Sequence, residues 1–176
     1  MPKIFLYGVP GTGKTYISRK LGKQYNLLVI EGDKLKKLAR QNIPKSQNPF
    51  LYLGTCQAWQ EFGKLNENNA IKGLLAVRQA YIDFISQYLQ DKDNFIFEAA
   101  FLDPNIVRNE SFRSLLVATD KSQHRRQFYH HREKLLDFKG DEFKAARLVQ
   151  EYLIAEAKKL GIQIIENNDT NNMIAI

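Results

Sequence analysis

The apolar run Lys3-Ile4-Phe5-Leu6-Tyr7 leads directly into Gly8-Val9-Pro10-Gly11-Thr12-Gly13-Lys14-Thr15, which meets the pattern G-x-x-x-x-G-K-[ST] at every position. A strand-forming run before the glycines and a helical i, i+4 apolar pair after them, Ile17 and Leu21, define a strand, a tight loop and a helix. Glycine lets such a loop turn so that successive backbone amides face phosphate oxygens. Lys14 adds a compact positive charge, Thr15 a hydroxyl for Mg²⁺, and the opening helix its positive end. The expected nucleotide-binding set is therefore Gly8, Pro10, Gly11, Thr12, Gly13, Lys14 and Thr15.

Downstream, short apolar runs alternate with long helical patterns, as in βαβ units of a parallel sheet. The spacing predicts strands over 3–7, 27–31, 94–98, 114–118 and 162–166. It predicts helices over 13–24, 33–41, 70–90, 121–138 and 142–160, with a short one after Thr170. Five such strands, with a phosphate loop after the first, describe an α/β fold: a three-layer, doubly wound parallel sheet that binds ligands at the carboxyl ends of its strands. The interval 41–69, with Pro44, Pro49 and Gly54, is the least regular and reads as an excursion forming an acceptor pocket or a flap over it.

A chain of 176 residues with 44% apolar content suits one compact domain, here 1–176. No apolar run approaches the roughly 18 residues of a membrane helix, and no signal-peptide stretch opens the sequence. The single cysteine, Cys56, excludes an internal disulfide and fits a reducing compartment, so the expected location is cytoplasmic. The net charge of +7 favours anionic partners, whether phosphorylated metabolites or nucleic acid.

The predicted second strand ends in Glu31-Gly32-Asp33, which places Asp33 at the ligand edge. There it is expected to cap the next helix, to orient or deprotonate an acceptor hydroxyl, or to hold a Mg²⁺-bound water beside Lys14 and Thr15. The third strand ends in Glu98, an acid suited to metal or substrate. All three histidines lie in His124-Arg125-Arg126-Gln127-Phe128-Tyr129-His130-His131-Arg132, without the cysteines or a distant histidine that zinc would require. Arginines on a helical lid are expected instead to close over transferring phosphates, Arg126 and Arg132 first.

Taken in order, these pieces resemble the 2-phosphoglycerate kinase family, to which mevalonate-3-phosphate 5-kinases are also similar. The resemblance runs through Gly8 to Thr15, the Asp33-Lys34-Leu35 helix start continuing to Arg40, the stretch from Phe95 to Pro104, His124 to Arg132, and Ile164 to Asp169. That family commonly has glycine where Ala99 stands, and arginine where Gln127 stands. The resemblance implies a phosphate-loop NTPase domain of nucleoside-monophosphate-kinase type with a helical lid, using ATP and Mg²⁺. It implies an ATP-dependent transfer to a hydroxyl of a small phosphorylated metabolite.

In that scheme Lys14, Asp33, Arg126 and Arg132 act on the reacting groups, with Arg125 and Asn168 also against the nucleotide. Thr15 and Asp33 would serve the metal. Asp33, Arg40, Arg78 and Glu98 would meet the acceptor, because guanidinium forks suit its phosphate. A nucleoside or nucleotide kinase remains open, with Phe50, Tyr52, Trp59 and Phe62 as a base clamp. So does a nucleotide-dependent switch or RNA binder using the basic segment, though nucleic acid is the less favoured partner and no Asn/Thr-Lys-x-Asp sequence is present to read guanine. The oligomeric state is left open.

Overall fold

The computed structural model describes residues 2–110, 112–130, 137 and 139–167. Five parallel strands, β1 (Lys3–Tyr7), β2 (Leu28–Glu31), β3 (Phe95–Ala99), β4 (Phe112–Val117) and β5 (Gln163–Glu166), lie in the order β2-β3-β1-β4-β5. Among the described residues, the α-helices α1 (Lys14–Tyr25), α2 (Gly32–Ala39), α3 (Glu67–Leu89), α4 (Lys121–His130) and α5 (Asp141–Lys159) accompany them. β1 is central, so the loop leaving it meets residues from strands on both sides.

Alternation along β1 sends Ile4 and Leu6 to one face and Phe5 and Tyr7 to the other. The first face packs on α1 through Ile17 and Leu21, joined by Ile96, Leu116 and Ile165. The second packs on α3 and α5 through Phe97, Leu115, Leu74, Val77, Val149 and Leu153. On this side the rings of Phe5 and Phe95 meet edge-on, with centroids 5.6 Å apart. Residues 100–110, between β3 and β4, contain no helix among the described residues and pack on the second face through Phe101, Leu102 and Val107.

The sequence boundaries hold within about two or three residues, and caps explain the differences. α3 begins before 70 because Asn66 accepts the Asn69 amide at 2.8 Å. α2 begins at Gly32, with Glu31 as its cap residue, so Asp33 is already inside the first turn. The excursion of 41–69 is not loose: two short 3₁₀ turns, Pro49–Leu51 and Ala58–Phe62, pack on α3. Of the predicted lid, Lys121–His130 is helical as described, whereas most of its remainder and the segment after Thr170 lie outside the described residues.

Candidate active site

The loop between β1 and α1 is held closed from within. The Thr12 hydroxyl donates to the Val9 carbonyl at 2.9 Å, and Lys14 Nζ donates to the same carbonyl at 3.0 Å. Both side chains are buried. Gly11 and Gly13 adopt φ of 85° and 81°, where a side chain would be strained, and each is also crowded. A Cβ on Gly11 would lie 2.9 Å from the Phe128 backbone nitrogen, and one on Gly13 would lie 2.9 Å from the Asn167 side-chain oxygen. The loop is thus sandwiched between α4 and the end of β5.

Thr15, on the first turn of α1, donates to Glu98 Oε1 at 2.9 Å. Glu98 stands near the end of β3 beside Leu6 and Glu31 in register. Burial pushes its carboxyl above the ordinary range, against the pull of Lys14 and the Thr15 hydroxyl, while Asp33 and Glu31 push it further up. A buried carboxylate and hydroxyl are hard oxygen donors, which Mg²⁺ takes in small number while phosphates and water complete its shell. Thr15 and Glu98 therefore fit the metal. Asp33, also expected to serve the metal, lies 3.9 Å from Lys36 on its own helix, with its side chain 94% exposed. It is not the helix cap either.

A raised carboxyl pKa means the folded state holds the proton more tightly than the unfolded chain. As pH rises from the ordinary 4.5 through the folded value, stability falls, and it stays reduced above. Glu98→Gln is accordingly expected to melt above the wild type at neutral pH and to lose that pH slope, while losing much of its Mg²⁺-dependent nucleotide affinity. Thermal melts from pH 4 to 8, with and without Mg²⁺ and nucleotide, check both halves; a lower melting temperature in the ligand-free variant at neutral pH, or an undiminished ligand-induced rise, contradicts the expectation.

α4 is seated on the loop through residues that a solvated basic helix would not bury. His124 is fully buried, with Nε2 2.9 Å from the Pro10 carbonyl and Nδ1 3.4 Å from an Arg147 nitrogen. These contacts suit the neutral ring, Nε2–H donating and Nδ1 accepting. Burial lowers its pKa, partly offset by the Pro10 contact, and Arg147 lowers it further. Arg147 also donates to the Ala118 carbonyl at 2.6 Å, and Gln150 holds the same residue by donating to its carbonyl and accepting from its amide. Phe128 is buried beside Phe143, and Asn167 donates to Gln127 at 2.6 Å. Arg125 and Arg126 stay exposed, with the Arg125 guanidinium 5.8 Å from the Tyr129 ring centre. Arg132 and Asn168 lie outside the described residues.

Two expected acceptor contacts separate. Arg40, at the end of α2, gives Nε to the Leu51 carbonyl at 2.6 Å and lies over the Tyr52 ring, so it faces the excursion. Arg78 does not reach a ligand edge: its side chain is 2% exposed, and both terminal nitrogens bind the Glu156 carboxylate at 2.8 Å, tying α3 to α5. Its fork is occupied, which withdraws it from the acceptor set. The proposed base clamp is engaged in packing. Phe50 stacks on Phe62, Trp59 donates to the Cys56 carbonyl, and Tyr52 donates to the Ile43 carbonyl. Sequence reasoning assigns no site role to Lys36, Gln127, Asn167 or His124. The i, i+3, i+7 spacing of Asp33, Lys36 and Arg40 on one helix face was the available signal for the first.

A family model described as "AAA domain" matches residues 4–150. The chain belongs to the AAA domain family. Among curated relatives, the mevalonate-3-phosphate 5-kinase of Thermoplasma acidophilum is 24% identical over 94% of this chain and 88% of its own length. The 2-phosphoglycerate kinases of Pyrococcus horikoshii and Methanocaldococcus jannaschii are each 24% identical over 99% and 93% of this chain. The chain spans 62% and 58% of those two relatives' lengths. Among solved structures, shikimate kinase from Acinetobacter baumannii in complex with shikimate aligns with TM-score 0.57 and 16% identity, covering 94% of this chain and 83% of that one. Deoxyadenosine kinase from M. mycoides with bound dATP aligns with TM-score 0.51 and 15% identity, covering 96% and 93%. The fold is that of the phosphate-loop kinases, a five-stranded parallel sheet with helices on both faces.

Proposed function

We propose that this domain is an ATP-dependent kinase that moves the γ-phosphoryl group to a hydroxyl of a small phosphorylated metabolite. The observation that carries the reading is that Lys14, the Thr15–Glu98 pair and the first turn of α2 with Asp33 stand at one edge of the sheet. The curated relatives, kinases of 2-phosphoglycerate and mevalonate 3-phosphate, support the substrate class.

In this reading Lys14, the loop amides and the positive end of α1 hold the β- and γ-phosphates. Thr15 and Glu98 would hold Mg²⁺, which would supply charge neutralisation to the transferring group. Asp33 orients the acceptor hydroxyl and takes its proton as the hydroxyl oxygen bonds to γ-phosphorus and the bond to the β-phosphate oxygen breaks. Arg40 meets the acceptor's own phosphate. Arg126 and Arg125 on α4 act from the nucleotide side, while Arg132 and Asn168, expected to share that role, lie outside the described residues. Among the described residues no helix is long and apolar enough to cross a membrane.

An ATP-consumption screen over phosphorylated small acids, mevalonate phosphates and nucleosides tests the reading. Stimulation by a phosphorylated acid or alcohol is the expected result, and stimulation by nucleosides alone contradicts it. Arg126 separates a kinase from an RNA binder. Arg126→Ala is expected to lower kcat by roughly 10-fold or more with a smaller rise in KM for ATP, as for a group acting in the transition state. Loss of RNA affinity with unchanged metabolite-dependent turnover is the contrary result.

A further inference from the structure

The peptide plane between Pro10 and Gly11 has two ways to face. Proline fixes φ at residue 10, so ψ is the soft dihedral left there, and glycine at residue 11 accepts either sign of φ. Pro-Gly suits turns that differ chiefly in the facing of that plane. Within the loop nothing in the local chain chemistry selects one facing over the other.

The contact that settles it comes from α4. The Pro10 carbonyl lies 2.9 Å from Nε2 of the buried His124. Arg147, which can only donate, stands 3.4 Å from Nδ1 and so leaves the ring proton on Nε2, where it donates to Pro10. Arg147 is itself held by the Ala118 carbonyl, and the His124 ring packs edge-to-face on Phe128 and Phe143, with centroids 6.2 Å and 5.1 Å away. The imidazole is therefore oriented from α4 and α5, independently of the loop it grips.

A trans peptide carries its C=O and N–H on opposite sides, and no cis peptide occurs among the described residues. With the carbonyl turned toward α4, the Gly11 N–H faces away from that helix. Among the described residues this amide donates to no protein acceptor.

We propose that His124 is a positioning residue of the nucleotide site: by holding the Pro10 carbonyl against α4, it keeps the Gly11 amide aimed at a polyphosphate oxygen. This rests on the nucleotide-gripping part of the kinase reading and adds the side chain that sets one of its donors. His124 touches no ligand. A donor aimed in advance binds an anion more tightly than one that must be ordered on binding.

Calorimetry on the full chain tests this, with Mg²⁺ and either a non-hydrolysable ATP analogue or inorganic tripolyphosphate. His124→Leu is expected to weaken both ligands about tenfold, the scale of one charge-assisted hydrogen bond. His124→Gln, whose amide nitrogen reaches about as far as Nε2, is expected to recover most of that loss, and the shorter His124→Asn to recover none. A residue that merely packs α4 shows no such order, because both amides disturb the seat of Phe128 and Phe143 alike. Wild-type affinity for both ligands in a folded His124→Leu overturns the proposal. So does a loss confined to the ATP analogue, which places the effect at the nucleoside and not at the phosphates.

If His124→Leu fails to fold, the wild type supplies the reading. Its Gly11 amide proton is expected to move downfield in ¹⁵N-resolved NMR when Mg²⁺ and tripolyphosphate are added, and an unmoved resonance overturns the proposal. Failure of the kinase reading is seen apart from these comparisons. Wild-type protein that binds neither ligand removes reading and proposal together, whereas binding of both without transfer to any acceptor in the screen removes the kinase reading alone.

Discussion

Lys14→Ala is expected to remove phosphoryl transfer altogether, a fall of roughly 10³-fold or more, while leaving a folded protein. The ammonium sits at the positive end of α1, against the Val9 carbonyl and within the field of Glu98. That place suits triphosphate oxygens better than it suits an empty loop, because a buried ammonium beside a helix N-terminus is opposed by the dipole. Removing it costs the triphosphate its central counter-charge and costs the core little. Circular dichroism and a melting curve establish the fold, and a coupled ADP assay reads the turnover. A folded Lys14→Ala protein with wild-type turnover would sink the reading.

The second large effect is at Asp33. Asp33→Asn is expected to lower kcat by roughly 10²-fold, the scale of a lost general base or orienting carboxylate, with ATP affinity nearly unchanged. The structure sharpens this. Asp33 is not the cap of α2, and Thr15 pairs with Glu98 and not with it. Its structural contributions are a first-turn carboxylate on the dipole, about 0.3–1 kcal/mol, and a loose 3.9 Å pair with Lys36 that its exposure leaves weak. A variant that lost only that much stability and kept its kcat would return Asp33 to a structural role. Measuring kcat, KM for ATP and melting temperature on one preparation decides it.

Much of the fold was legible because the periodicities are strong and the phosphate loop fixes the first βα unit. All five strands and the described helices occur where alternation and helical spacing put them. The loop residues were legible because glycine at positive φ and Lys-Thr at a helix start serve one local purpose. What sequence did not give was pairing across space. Glu98 and Thr15 are 83 positions apart, and only the β3-β1 register brings them together. Arg78 looked like one more available guanidinium until α5 placed Glu156 opposite it. His124 reads as one of a polar run, yet the turn of α4 that carries it faces the loop, with Arg147 of α5 behind it. Lys36 was hidden for the same reason: its aromatic floor comes from α3 and from the crossover after β3.

The central claim is that the γ-phosphoryl group passes to a metabolite hydroxyl and not to water. ATP labelled with ¹⁸O at the γ-phosphoryl oxygens, incubated with the protein, Mg²⁺ and the acceptor selected by the screen, tests it by mass spectrometry. The account predicts that the non-bridging label arrives intact on the acceptor, at a rate that Asp33→Asn depresses and Lys14→Ala abolishes. Label appearing only in inorganic phosphate, at a rate indifferent to every acceptor, would contradict it and make this domain a nucleotide hydrolase.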